Sequence, residues 1–185
     1  MLILASASPR RAELLRNASI ALTVIPASVP EEQRIGEDPV SYARRLATEK
    51  ARAIARQRPN DAVLGADTIV VIQGDVLEKP CNAQDARAML RRLSGRTHEV
   101  TTGVCLISNG KEQVESETTL VTMTAISEAE VDFYVSTSEP MDKAGGYAIQ
   151  GIASRWIPRI EGCYFNVVGL PVPLVWRMLR EAGFF

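Results

Sequence analysis

The first apolar stretch, residues 2–5, is short and unbroken, which predicts a buried strand. Ser8 and Pro9 follow as an N-cap and a first helical residue, so a helix is expected through Leu14 and Leu15. Asp38-Pro39 announces a second helix, whose apolar positions Ala43, Leu46, Ala47, Ala51 and Ile54 recur at three-and-four spacing and which ends before Pro59. Residues 62–72 are nearly all apolar and rich in β-branched side chains, as in a central strand covered on both faces. Gln73-Gly74-Asp75 predicts a turn into Val76-Leu77. Asn82 opens a helix carrying Ala86, Met89, Leu90 and Leu93, with Gly95 at its C-terminal end. Residues 97–107 and 112–124 read as strands around Asn109-Gly110, a hairpin signal, and Ser127 to Glu130 is a capping box opening a helix toward Tyr134. A stretch rich in glycine and polar groups covers 138–151, a strand is expected over 156–160, and a last helix places Val172, Val175, Trp176 and Leu179 on one face before Gly183.

Helices and strands alternate first, and a hairpin and a late strand follow. This order predicts an α/β fold with a mixed twisted sheet, flanking helices and two lobes around a cleft. A chain of 185 residues suits a single domain over 1–185, and 46% hydrophobic with 23% charged residues excludes a disordered or fibrous chain. Net charge is -1, which supplies no general attraction for nucleic acid or anionic membrane, so any anion must be bound by a local cluster. Cys81, Cys105 and Cys163 have no C-x-x-C spacing and only His98 to join them, which fits a reduced, cytoplasmic compartment rather than a zinc site. The N-terminal apolar run is broken by Ser6 and Ser8, and no run of about 18 apolar residues occurs, so no membrane partner is expected.

Five features carry candidate chemistry. Ser6-Ala7-Ser8-Pro9-Arg10-Arg11 puts two cations in the first turn of a helix, where the free N–H groups already carry partial positive charge. A bound phosphate makes that placement favourable, and two solvated arginines beside Glu13 are the alternative. Asp67, followed by Thr68, stands inside the apolar strand, where an ionised carboxylate needs a cation, a metal or several donors. Lys50 interrupts the apolar stripe of the second helix and reads as a snorkelling side chain, and Lys79 as an exposed edge residue, unless both point at the same cleft as Arg10 and Arg11. Glu31 and Glu32 read as a solvated loop pair or, with Asp67, as ligands for Mg²⁺. In Tyr147-Ala148-Ile149-Gln150-Gly151 the amide of Gln150 can offer a donor and an acceptor to a base edge, although a simple structured turn explains the same residues. His98 reads as structural, because no nucleophile and acid accompany it.

Taken in order, Ser6-Ala7-Ser8-Pro9-Arg10-Arg11, Glu31-Glu32, Glu49-Lys50-Ala51, Gly65-Ala66-Asp67-Thr68, Glu78-Lys79-Pro80, Ser94-Gly95-Arg96-Thr97-His98, residues 141–151 and Val167-Val168-Gly169-Leu170-Pro171 span nearly the whole chain. In these motifs the sequence resembles the Maf family of nucleoside triphosphate pyrophosphatases, related in fold to the inosine triphosphatase group, and specifically its dTTP/UTP branch. The resemblance implies Asp67 as catalytic base, Arg10, Thr68 and Gln150 as residues that set base preference, and a homodimer. Joined to the residue readings above, it leads to the expectation that Ser6, Ser8, Arg11, Lys50 and Lys79 bind the phosphates and that Glu32 and Asp67 hold a divalent cofactor, Mg²⁺ or Mn²⁺. A sensor that binds the nucleotide without turnover, and a pyrophosphatase for 7-methyl-GTP or inosine triphosphate, are the rival readings.

Overall fold

In a computed structural model describing residues 1–185, the elements follow in the order β1 (Leu2–Leu4), α1 (Pro9–Asn17), β2 (Thr23–Val24), α2 (Pro39–Ala55), β3 (Ala62–Ile72), β4 (Asp75–Leu77), α3 (Ala83–Leu93), β5 (Thr97–Ser108), β6 (Lys111–Thr122) and α4 (Glu128–Ser136). Three 3₁₀ turns (Glu139–Asp142, Ala144–Gly146, Ile152–Trp156), β7 (Arg159–Glu161), α5 (Tyr164–Val168) and α6 (Val172–Glu181) complete the chain. The strands form one seven-stranded sheet of order β2-β1-β3-β5-β6-β7, with β4 paired to β3. β1 runs parallel to β2 and β3, with Leu2 opposite Ala62 and Leu4 opposite Leu64, while β4 and β7 pair antiparallel to β3 and β6. The expected α/β class with a mixed sheet is therefore what the chain adopts. It divides into two compact units, 1–68 with 102–117 and 169–185, and 69–101 with 118–168.

In the first unit, α2 is stitched to the sheet by its small residues. Ala43, Ala47 and Ala51 recur every four residues and form a shallow stripe, and the strands facing it carry Gly65 and Gly103. A Cβ on Gly65 would lie 2.2 Å from the Ala47 carbonyl oxygen, and one on Gly103 would lie 2.3 Å from that of Ala43. Side chains alternate along a strand, so Asp67 shares the face of Gly65 and meets the same helix. Ile3, Ala5, Val63 and Cys105 fill the remaining layer against Ala47, Ala51 and Ile54.

In the second unit, Val70, Leu77, Leu90, Leu93, Met123, Tyr134 and Trp156 belong to one buried cluster. Asn82 caps α3 by accepting from the Asp85 N–H at 2.9 Å, and the capping box at Ser127 and Glu130 forms as expected. Asn109 and Gly110 take φ of 51° and 72°, the left-handed pair that a tight hairpin turn requires.

Two expectations shift. The late strand begins at Arg159 rather than residue 156, because Pro158 supplies no N–H to a ladder and Ile152–Trp156 winds into a 3₁₀ turn instead. On α6 the buried face is Leu174, Val175, Met178 and Leu179, whereas Trp176 is 39% exposed and lies against Phe185 with ring centroids 4.3 Å apart. The two-residue β2 and the five-residue α5 are too short to leave a periodic signal.

Replacing Gly65 by alanine tests the close approach of helix and strand. The added methyl meets backbone atoms that cannot yield without moving α2, so unfolding in urea should show a loss of about 2–3 kcal/mol, at the upper end of overpacking costs. A loss under about 0.5 kcal/mol would mean that α2 does not sit this tightly on β3.

Candidate active site

The stripe that brings α2 onto β3 also carries Lys50, one turn beyond Ala47. Its ammonium lies 2.6 Å from Asp67 Oδ1 and 2.5 Å from Glu31 Oε1. The Lys50 and Asp67 side chains are only 9% and 11% exposed, and that of Glu31 is 36% exposed. Lys50 therefore does not snorkel to water. It supplies the cation that a carboxylate inside an apolar strand needs, and the two open readings of Lys50 and Asp67 resolve into one contact.

Arg11 is the second buried cation of this unit, and it is not a solvated partner of Glu13. Its Nε donates to Gly169 O at 2.8 Å, Nη1 to Ser6 Oγ at 2.9 Å and Ala66 O at 2.8 Å, and Nη2 to Thr68 Oγ1 at 2.8 Å. Four of the five guanidinium N–H groups are thus directed at protein oxygens, two of them on the strand residues that flank Asp67. Burial pulls the Arg11 pKa below its ordinary value, and the charge of Asp67 is the largest opposing influence. The Thr68 hydroxyl also lies 2.9 Å from Thr102 Oγ1 and 3.1 Å from Gly169 O. Ser6 is buried, and its Oγ also accepts from the Ser8 N–H at 3.3 Å. Ser8 occupies the N-cap of α1 without a side-chain capping bond, and Arg10 is half-buried in the first turn.

The acidic loop reaches this row through Glu31, whereas Glu32, the residue expected to bind metal, is exposed and presents its carbonyl oxygen to Arg45 Nη2 at 2.9 Å. Arg45, on α2, also donates to both Glu37 carboxylate oxygens, at 2.6 and 2.8 Å, and to Glu49 at 3.3 Å. The bond from Arg45 holds Glu37 down at about 2, below the usual carboxylate range. Arg45 and Glu37, which hold the loop that carries Glu31, are the residues that sequence reasoning missed. The signal available was the i,i+4 pair Arg45 and Glu49 on the helix that carries Lys50.

Oxygen ligands for a divalent ion are present here. Glu31 and Asp67 point at one cationic centre, the Lys50 nitrogen, and one or two carboxylates completed by water and substrate phosphates are what Mg²⁺ usually takes. Three or more His, Cys, Asp or Glu side chains converge nowhere in the chain.

Lys79 and Gln150 belong to the second unit. Lys79 is exposed two residues beyond β4, and Gln150 is exposed within the segment that follows the Ala144–Gly146 turn. Ahead of Gln150, Tyr147 is buried with its hydroxyl 2.8 Å from His98 Nε2, and the two rings meet edge-on. The expectation that His98 is structural agrees with this packing.

Arg11 and Lys50, from separate helices, are thus drawn to one polar row on the Gly65-Ala66-Asp67-Thr68 strand. The family model described as Maf-like protein matches residues 1–182. The chain belongs to the Maf family. This Maf chain is 62% identical over 182 residues, 98% of its own length and 94% of the relative's, to the dTTP/UTP pyrophosphatase of Koribacter versatilis. To the dTTP/UTP pyrophosphatase of Symbiobacterium thermophilum it is 48% identical over 183 residues, covering 99% of this chain and 94% of that one. Among solved structures it is similar to the Ham1 protein of Staphylococcus aureus, with a TM-score of 0.54 and 13% identity over 97% of this chain and 98% of that one, a likeness of fold.

The buried histidine makes a prediction about acid. Burial lowers His98 from its usual 6.5 to about 4, so the unfolded chain takes up a proton at a pH where the folded protein does not. Stability is then full above about pH 6.5 and is lost as pH falls toward 4, by roughly 2–3 kcal/mol at pH 4.5. Urea unfolding at pH 7 and pH 4.5 should show a smaller acid loss for His98→Gln than for wild type by about that amount. Equal losses would contradict a neutral buried His98.

Proposed function

We propose that this Maf protein is a nucleoside triphosphate pyrophosphatase acting on dTTP and UTP and releasing the nucleoside monophosphate and pyrophosphate. Support comes from relatives of that name that match it over nearly their whole length. The observation that carries the chemistry is the ion pair of Lys50 with Asp67, set in an apolar layer where it has no stabilising purpose that leucine and methionine would not serve as well.

A carboxylate has about four acceptor positions, so the Lys50 bond to Oδ1 leaves Asp67 able to orient a water molecule. In the proposed step the water oxygen bonds to the α-phosphorus, its proton passes to the Asp67 carboxylate, and the bond from the α-phosphorus to the α,β-bridging oxygen breaks. Pyrophosphate leaves. Lys50, beside Asp67, opposes the charge that grows on the phosphoryl oxygens, and Arg10 joins it from the first turn of α1. Arg11 acts through position: its bonds to Ala66 O and Thr68 Oγ1 fix the strand on both sides of the base. Asp67 with Glu32, the pair expected from the sequence, or with Glu31, its neighbour in the loop whose carboxylate reaches the same lysine, would hold Mg²⁺ or Mn²⁺, and such an ion supplies Lewis-acid stabilisation of the triphosphate charge when bound.

The remaining assignments rest on the motifs. Lys79, Ser6 and Ser8 are assigned to the phosphates and Arg10, Thr68 and Gln150 to base preference. A glutamine amide accepts from N3–H and donates to a carbonyl of uracil or thymine, whereas cytosine offers the reverse pattern at two of these positions. The protein is read as one domain over 1–185, a reading supported by the continuous family match over 1–182, and as a homodimer on the family resemblance. Cytoplasmic placement is supported by three thiols that are all free. No helix is long and apolar enough to cross a membrane.

Pyrophosphate release from dTTP tests the central assignment. Asp67→Asn keeps the shape and removes the basicity, so turnover should fall by roughly 10²-fold or more in a protein that still folds. Near-wild-type turnover would remove Asp67 from the role of base. In the wild type, dTTP and UTP should be cleaved ahead of CTP, ATP and GTP by roughly tenfold to hundredfold. A preference for a purine nucleotide would move the protein to another branch of the same chemistry.

A further inference from the structure

Gln150 sits in a turn gripped at both ends by one pair of side chains. The Gly151 N–H donates to Ala148 O at 3.1 Å, closing a four-residue turn in which Gln150 is third. The Tyr134 hydroxyl, from α4, accepts from the Ala148 N–H at 3.1 Å and donates to Glu139 Oε1 at 2.9 Å. The same Oε1 accepts from the Ile152 N–H at 3.1 Å. A tyrosine and a glutamate thereby bond the residues that enter and leave the turn.

The grip is rigid. Tyr134 is fully buried and packs edge-on against Trp156 with ring centroids 5.4 Å apart. Lys143 donates to the backbone oxygen of Glu139 at 2.7 Å, and Trp156 donates to Glu130 at 3.1 Å, so each partner is itself held. Gly151 is required by this contact, since a Cβ there would lie 2.1 Å from Glu139 Oε1. Burial raises the Tyr134 pKa, which keeps the hydroxyl proton available for Glu139. On the other side of Ala148, the buried His98 holds Tyr147.

We propose that Tyr134 and Glu139 are positioning residues for base selection, holding the Gln150 turn in the one orientation in which its amide meets a pyrimidine edge. This rests on the reading of Gln150 as a base-selecting residue. Discrimination through hydrogen bonds demands placement within about 0.5 Å, and a turn freed at either end gives the amide several orientations that serve cytosine as well as thymine. Cleavage of the triphosphate needs no such orientation, so base preference is affected more than turnover.

The test compares kcat/KM for dTTP and CTP in wild type, Tyr134→Phe, Gln150→Ala and the double variant. Tyr134→Phe keeps the ring on Trp156 and deletes the shared hydroxyl. It should lower the dTTP to CTP ratio about fivefold or more through KM for dTTP, with kcat within about twofold. The double variant should show the ratio of Gln150→Ala alone, because a loosened turn has nothing left to orient. Glu139→Ala should act like Tyr134→Phe, while Glu139→Gln, whose carbonyl oxygen can accept both bonds that Oε1 accepts now, should restore the ratio. If Gln150→Ala lowers the ratio and neither Tyr134→Phe nor Glu139→Ala does, the positioning role is overturned and the reading of Gln150 stands. Fully additive effects in the double variant overturn it as well. If Gln150→Ala leaves the ratio at its wild-type value, the reading of Gln150 fails and the proposal with it.

Discussion

A lysine ammonium and a carboxylate 2.6 Å apart, both about nine-tenths buried, constrain the first unit from the backbone outward. Removing two charges from water is expensive, and their attraction offsets that loss only where the geometry is held firmly. The holding is done by main chain. Gly65 and Gly103 let α2 approach β3 and β5 until helix carbonyls occupy the space a Cβ would need, and at that distance Lys50 lies beside Asp67. The bonds from Arg11 to Ala66 and Thr68 fix the strand on either side of the carboxylate, and Arg45 ties down the loop from which Glu31 closes the row.

Much of the architecture was legible because it rests on local signals. Asp38-Pro39, Asn82 and the Ser127 to Glu130 box are caps, Asn109-Gly110 is a turn, and residues 62–72 form a continuous apolar run, and each marks an element that forms where expected. The errors have physical causes. On α6 the helix is turned toward Leu174 and Met178, so Trp176 stays half out, because periodicity alone does not choose between two overlapping apolar faces. Pro158 outweighed the strand propensity of its neighbours.

The candidate site was legible in composition and not in contact. Asp67 and Lys50 each stood out as a charge in an apolar pattern, and periodicity favoured a snorkelling Lys50 because it reports one element at a time. That two such anomalies satisfy each other is tertiary information. The same limit explains the acidic pair: nothing in Glu31-Glu32 distinguishes the residue that reaches Lys50 from the one whose backbone serves Arg45. Arg11 shows the converse, a cation expected to face phosphate whose donors are mostly directed at protein oxygens. The fold shared with Ham1 at 13% identity shows the same division from the side of the layers, whose packing tolerates almost any sequence of the right pattern.

If the Lys50 and Asp67 pair exists for chemistry, replacing both partners by apolar groups of similar volume should remove function and leave the fold. The most direct measurement is the unfolding free energy of Lys50→Met/Asp67→Leu, taken together with pyrophosphate release from dTTP. Buried pairs replaced in this way are typically neutral to about 1–4 kcal/mol more stable. The predicted result is a double variant that still unfolds cooperatively, within about 2 kcal/mol of wild type because Arg11 and Glu31 each lose a compensating charge, and that releases no pyrophosphate above background. A loss of several kcal/mol with retained release would show that the pair holds the fold and that the reaction is carried out elsewhere.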